Sequence, residues 1–182
     1  LVTGVQTCAL PIFYGLPFAA AYAFILQLVL HEPTPSVNLP FFGWILMSGL
    51  VQIGATALLL RVMEERNFTL GVAYSKSEVV QAAIFATILV GDPLSPLTIL
   101  AIVIATAGVI LLSVPSGDQP VTSLLGGWAT RTALMGVASG GGFALSAVGY
   151  RGASLALQPA HFAMAAAFTL VWAQFVQSIA LG

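Results

Sequence analysis

Two charged residues stand where few chains can hold them. Lys76 and Glu78 lie inside Phe68-Thr69-Leu70-Gly71-Val72-Ala73-Tyr74-Ser75-Lys76-Ser77-Glu78-Val79-Val80-Gln81, part of an apolar run that continues to Val90. A charge at the bilayer centre costs on the order of 3 kcal/mol by insertion scales, so such groups line a cavity or find a partner. At ~100° per residue, Tyr74, Glu78, Gln81 and Phe85 share one helix face. Lys76 falls nearly opposite, near Thr69 and Thr87. The two charges are therefore not a simple i,i+4 pair.

Three readings fit that placement. Glu78, with Tyr74 and Gln81, lines a path for a solute or a coupling proton, and Lys76 also faces the bundle interior. Alternatively the charges form buried ion pairs that fix this helix to two neighbours. A shifted register would instead leave both near the membrane interface. Gln52, Gln174 and Gln177 suit interhelical hydrogen bonds, worth ~0.6 kcal/mol each in a membrane. Gln52 is also carried as a pathway residue beside Tyr74, Lys76, Glu78 and Gln81.

Other chemistry lacks its residues. The sequence has no His-Glu-x-x-His zinc motif, no Gly-x-Ser-x-Gly elbow and no phosphate-cradling glycine loop. His31 and His161 have no second ligand at metal spacing. No cofactor is implied, and an enzyme is not expected. A net charge of -1 points away from a nucleic-acid partner. The lone Cys8 has no partner for an internal disulfide.

The elements that position these residues follow from composition. Of 182 residues, 59% are hydrophobic and 6% charged, with a mean hydropathy of +1.02. Soluble domains carry roughly 25% charged residues, so the partner of most of this surface is a lipid bilayer. A helix needs ~20 apolar residues to cross the bilayer core, and six stretches qualify: 13–30, 40–63, 68–90, 97–114, 131–150 and 159–181. Backbone polar groups cannot stay unpaired in lipid, which leaves helices or a closed barrel. These runs are too long and too continuously apolar for barrel strands. The expected fold is all-α, a polytopic transmembrane bundle of about six spans.

Between the fourth and fifth spans, Pro115-Ser116-Gly117-Asp118-Gln119-Pro120 opens a linker over 115–130. Residues 18–24 and 162–168 resemble one another, a weak repeat of the kind from which transporters are often built. Gly140, Gly141 and Gly142, beside Ser139 and Ala144, form a small-residue face suited to close helix approach. Trp44, Trp128 and Trp172 suit the interfacial belts. Residues 2–12 resemble the translation of a short-read sequencing adapter, so the natural sequence is expected to begin near Phe13, and residues 2–12 to pack poorly. The chain is expected to be truncated at both ends.

From Gln52 to Val114 the sequence resembles the EamA-type drug/metabolite transporters. Gly54-Ala55-Thr56-Ala57-Leu58-Leu59-Leu60-Arg61 is similar to that family's small-residue helix before a short loop. The next helix ends in Leu89-Val90-Gly91-Asp92-Pro93-Leu94-Ser95, where the family usually has Leu-Gly-Glu and a polar turn. Ala107-Gly108-Val109-Ile110-Leu111-Leu112 is similar to the end of the repeat's last helix. Asp92 replaces the usual Glu, and Glu78-Val79 stands where the family often has proline. The resemblance implies a bacterial inner-membrane carrier that moves a small organic metabolite or drug by alternating access. It also implies ten spans in two repeats. Residues 13–114 would be the first repeat without its first helix, and 131–182 the start of the second. Arg61, Arg66 and Arg131, against Arg151, favour one orientation by the positive-inside rule. The family template implies the opposite one. A membrane scaffold or accessory subunit is the alternative function.

Overall fold

The computed structural model describes residues 2–31, 33–64, 75–91, 93–113, 131–158 and 161–181, with side chains described there except at 2–12 and 109–113. Among them every regular element is helical: α1 (Val2–Leu30), α2 (Leu39–Glu64), α3 (Glu78–Phe85), α4 (Pro96–Ser113), α5 (Arg131–Ala156) and α6 (Phe162–Leu181). α3 runs on into a π-helical turn, Ala86–Val90. Four stretches are long and apolar enough to cross a membrane: Phe13–Leu30, Leu39–Glu64, Arg131–Ala156 and Phe162–Leu181. The shortest of them, Phe13–Leu30, has 18 residues, about 27 Å at ~1.5 Å per residue, close to the ~30 Å thickness of the hydrocarbon core.

The third and fourth expected spans come out shorter over their described residues, as the apolar helices Glu78–Val90 and Pro96–Gly108. The third differs for a local reason. Lys76 and Ser77 form a turn, and α3 starts only at Glu78. Three consecutive polar residues, Ser75-Lys76-Ser77, interrupt what reads as one continuous run. The fifth span passes Tyr150 and ends at Ala156, six residues later than expected. It stops where Gln158 adopts a left-handed φ of 46° and returns its N–H to the Leu155 carbonyl. The adapter-like residues 2–12 are helical in backbone, but the expectation about their packing falls on side chains outside the description. Tyr74, Asp92, Trp128 and the 115–130 linker also lie outside it.

Sequence chemistry fixes several helix ends. Asn38 caps α2, its Oδ1 accepting the Phe41 N–H at 2.9 Å. Its Nδ2 donates to the Ala156 carbonyl at 2.6 Å, so one side chain satisfies an orphan donor of α2 and an orphan acceptor of α5. Asn38→Ala is expected to cost about 1 kcal/mol from the cap alone. A lowered thermal midpoint in detergent would register it; an unchanged midpoint would show the tie carries nothing. Ser95 caps α4 through the Thr98 N–H at 3.1 Å, and Pro96 fills the first helical position, where its missing N–H does no harm.

The chain packs as two compact units, residues 1–53 with 149–182, and residues 54–148. They divide the molecule by packing, whereas the proposed repeats divide it by sequence. In the first unit the core is Phe41, Ile45, Ala153, Leu157 and Ala165, flanked by Trp44, Phe168, Trp172 and Val176. Phe41 is fully buried, its ring 5.9 Å from that of Phe168 and 6.2 Å from that of Trp172. Trp172, midway along α6, sits in an aromatic cluster, because Phe41 and Phe42 in the first turn of α2 offer it edge-to-face partners. Trp44 lies flat against Gly152, where a Cβ would come 3.0 Å from the indole ring. α1 packs on α6 and leaves Phe18, Phe24 and Val29 exposed, as a lipid-facing surface requires.

In the second unit, Ser139 is buried and donates to the Ala55 carbonyl at 2.9 Å, joining α5 to α2. The backbone of Ser75 packs closely against Gly140, and the Gln81 side-chain amide against Gly141. The small-residue face predicted at 139–144 is therefore where the start of α3 docks. α3 and α4 pack together, with Leu97, Val103 and Ile104 of α4 exposed.

Candidate functional site

The sequence-predicted residues fall in two places. Lys76, Glu78 and Gln81 belong to the second unit, at the start of α3. Lys76 is exposed on the turn that precedes α3. Glu78 is half-buried in the first turn of α3, where a carboxylate is favoured by the unpaired N–H groups of the helix start. Gln81 donates to the Ser77 hydroxyl at 2.7 Å and to the Val137 carbonyl at 3.2 Å, tying α3 to α5. Both amide hydrogens are spent on structure. Tyr74 lies outside the described residues.

Gln52 belongs to the first unit, halfway along α2, and there it meets a polar network. Gln177, buried on α6, donates one amide hydrogen to Gln52 Oε1 at 2.9 Å and the other to the Tyr150 hydroxyl oxygen at 2.8 Å. Of the three glutamines read from sequence as interhelical glue, Gln52 and Gln177 bond each other. A little further along, Ser154 donates to the Tyr150 carbonyl at 3.1 Å and sits 3.0 Å from the Thr169 hydroxyl.

These groups line a cavity of about 390 Å³, within the range of small-molecule sites. Ala166, Leu170 and Ala173 supply its apolar wall, and Arg151 and Gln174 complete the polar side. No carboxylate is among the lining residues. Two polar groups have capacity left. Tyr150 accepts from Gln177, so its own O–H is available to donate. Gln174 Oε1 is buried without a hydrogen-bond partner. Gly15 of α1 makes room for that amide, since a Cβ there would lie 3.2 Å from Oε1. A buried acceptor left unmade costs ~1–3 kcal/mol.

Sequence reasoning found Gln52 but not Tyr150, Ser154 or Thr169. The signal was present as spacing: Thr169, Ala173 and Gln177 recur every four residues on α6, as Tyr150 and Ser154 do on α5. Hydroxyl residues in helices bond their own backbone and read as neutral fillers, which hid them. Among the described residues, no group of three or more His, Cys, Asp or Glu could hold a metal ion.

The helices and this polar seam define the class: an all-α, multi-helix membrane protein. No family model, no curated protein and no solved structure matches the chain.

Proposed function

We propose that this protein is a small-solute transporter of a bacterial inner membrane, working by alternating access, as its resemblance to the EamA-type drug/metabolite transporters implies. The observation that carries the reading is the polar cavity beside Gln52, Tyr150 and Gln177, halfway along α2 in an otherwise apolar bundle. A scaffold or accessory subunit needs no such cavity, and polar groups at that depth are costly to keep without use. Transporter sites lie near the bilayer midplane. Glu78 is the carboxylate that a coupling proton would use.

Water access tests the reading directly. In the full-length protein with its own cysteines replaced by serine, Ala166→Cys places a thiol on the cavity wall. A membrane-impermeant anionic thiosulfonate is expected to label it from each side of the membrane in turn, and solute counterflow in proteoliposomes is expected to accompany this. A thiol that stays unlabelled from both sides, with no counterflow, would leave the scaffold reading standing.

A further inference from the structure

A donor and an acceptor without partners belong to residues that line the same cavity. The Tyr150 hydroxyl accepts from Gln177 at 2.8 Å, which leaves its own proton unspent. Gln174 Oε1 is buried and unpartnered. It does not face the cavity: the whole amide lies against Gly15 of α1, where a Cβ would stand 3.2 Å from Oε1, 3.3 Å from Cδ and 3.4 Å from Nε2. The Gln174 side chain therefore borders both the cavity and α1.

We propose that Gln174 is a latch with two positions. In the structure its amide is parked on Gly15, and the cavity keeps its volume of about 390 Å³. In the other position the side chain turns into the cavity, Oε1 accepts the Tyr150 O–H, and the space is closed. Reach permits the exchange. Gln177, on the same helix, already touches the Tyr150 oxygen, and residues three apart on a helix have Cβ atoms ~5–6 Å apart. The rotatable bonds of a glutamine carry its amide across that gap. Turning in satisfies both unpaired groups with one bond, whereas parking leaves a buried acceptor unmade. Packing on Gly15, where no side chain competes for the space, holds the parked position. The two effects oppose one another, which is the condition for a minor state to stay populated. The latch goes beyond the transport reading and does not require it; a solute that takes the Tyr150 proton would hold Gln174 parked.

The full-length protein, grown with isotopically labelled glutamine and purified in micelles without solute, reports both positions through the Gln174 side-chain amide. That NMR signal is identified by its loss in Gln174→Leu or Gln174→Met. Relaxation dispersion is expected to show exchange with a minor state. Tyr150→Phe removes the bond that holds the turned-in position and is expected to lower its population about 3- to 10-fold, the effect of one neutral hydrogen bond. Gly15→Ala crowds the parked amide and is expected to raise the same population at least about threefold. The two variants push one equilibrium in opposite directions, which a passive packing role would not produce. Absence of exchange in the wild type overturns the proposal, as does exchange that Tyr150→Phe leaves unchanged or that Gly15→Ala diminishes. Tyr150→Phe alone decides the point should Gly15→Ala fail to fold. Transport is decided separately, by thiol labelling at position 166 and counterflow, because the amide signals are read without solute.

Discussion

Gly140→Leu is expected to leave the chain inserted in the membrane while the docking of α3 on α5 is lost. An ideal Cβ at Gly140 would run into the carbonyl oxygen of Ser75, with the Ser75 carbonyl carbon at 3.1 Å and the Glu78 nitrogen at 3.2 Å. All three are backbone atoms, so no rotamer change relieves the overlap. Overpacking of this kind costs ~1–3 kcal/mol even where side chains can adjust, and leucine adds three further carbons. The cost is expected to reach at least the top of that range. Gly54→Ala is the control: nothing lies within 4 Å of its Cβ position, and removing a mid-helix glycine is worth up to about 1 kcal/mol in the favourable direction. Unfolding in mixed micelles of rising sodium dodecyl sulfate, followed by circular dichroism, reads both. Should Gly140→Leu unfold at the wild-type midpoint, the close approach of Ser75 to α5 does not exist.

That contact marks the boundary of what a sequence of this kind discloses. Helices were legible because lipid leaves the backbone no alternative and because apolar runs of spanning length are unambiguous. α1 and α2 end within a residue of where composition places their ends. The end of α5 was not legible. Arg151 reads as the polar terminus of a span, yet a long cationic side chain can reach outward from a continuing helix, and Gly152 leaves room for Trp44 to pack against α5 there. The turn at Lys76–Ser77 was hidden for the opposite reason, since no glycine or proline announces it. The angular argument that sets Lys76 opposite Glu78 requires one helix over both residues, and α3 begins only at Glu78.

The candidate site was legible only in pieces. Gln52 and Gln177 each stood out as a polar group in an apolar run, but they lie 125 residues apart. Their meeting depends on α2, α5 and α6 being neighbours, which hydropathy does not encode. Tyr150 gave less warning still. Its ring is at home in a half-buried helix face, and only the amide of Gln177 converts its hydroxyl into an oriented donor. The orphaned Gln174 Oε1 is a property of packing alone, and no spacing rule would have found it.

Gln177→Leu is expected to cost the protein far more function than stability. The substitution deletes two hydrogen bonds, to Gln52 and to Tyr150, and polar contacts between membrane helices average ~0.6 kcal/mol each. A loss of about 1 kcal/mol would leave most molecules folded. The consequence for the cavity is larger, because the Gln177 amide holds both partners in place at once. Without it the Tyr150 hydroxyl can rotate to the Gln52 oxygen and spend its own proton there, removing the donor offered to a solute. Preorganisation of this kind is lost from affinity in full, and a drop of at least tenfold in solute flux per molecule is expected, equivalent to ~1.4 kcal/mol. Tyr150→Phe removes the same donor directly and is expected to give a similar loss. If both act through one hydroxyl, the double variant should be little worse than either single one, because contacting residues do not contribute additively. Flux in proteoliposomes normalised to folded protein, set beside detergent melting curves, separates the two effects. Flux within twofold of wild type for Gln177→Leu would reduce the network to helix glue and remove the support it lends to a transport function.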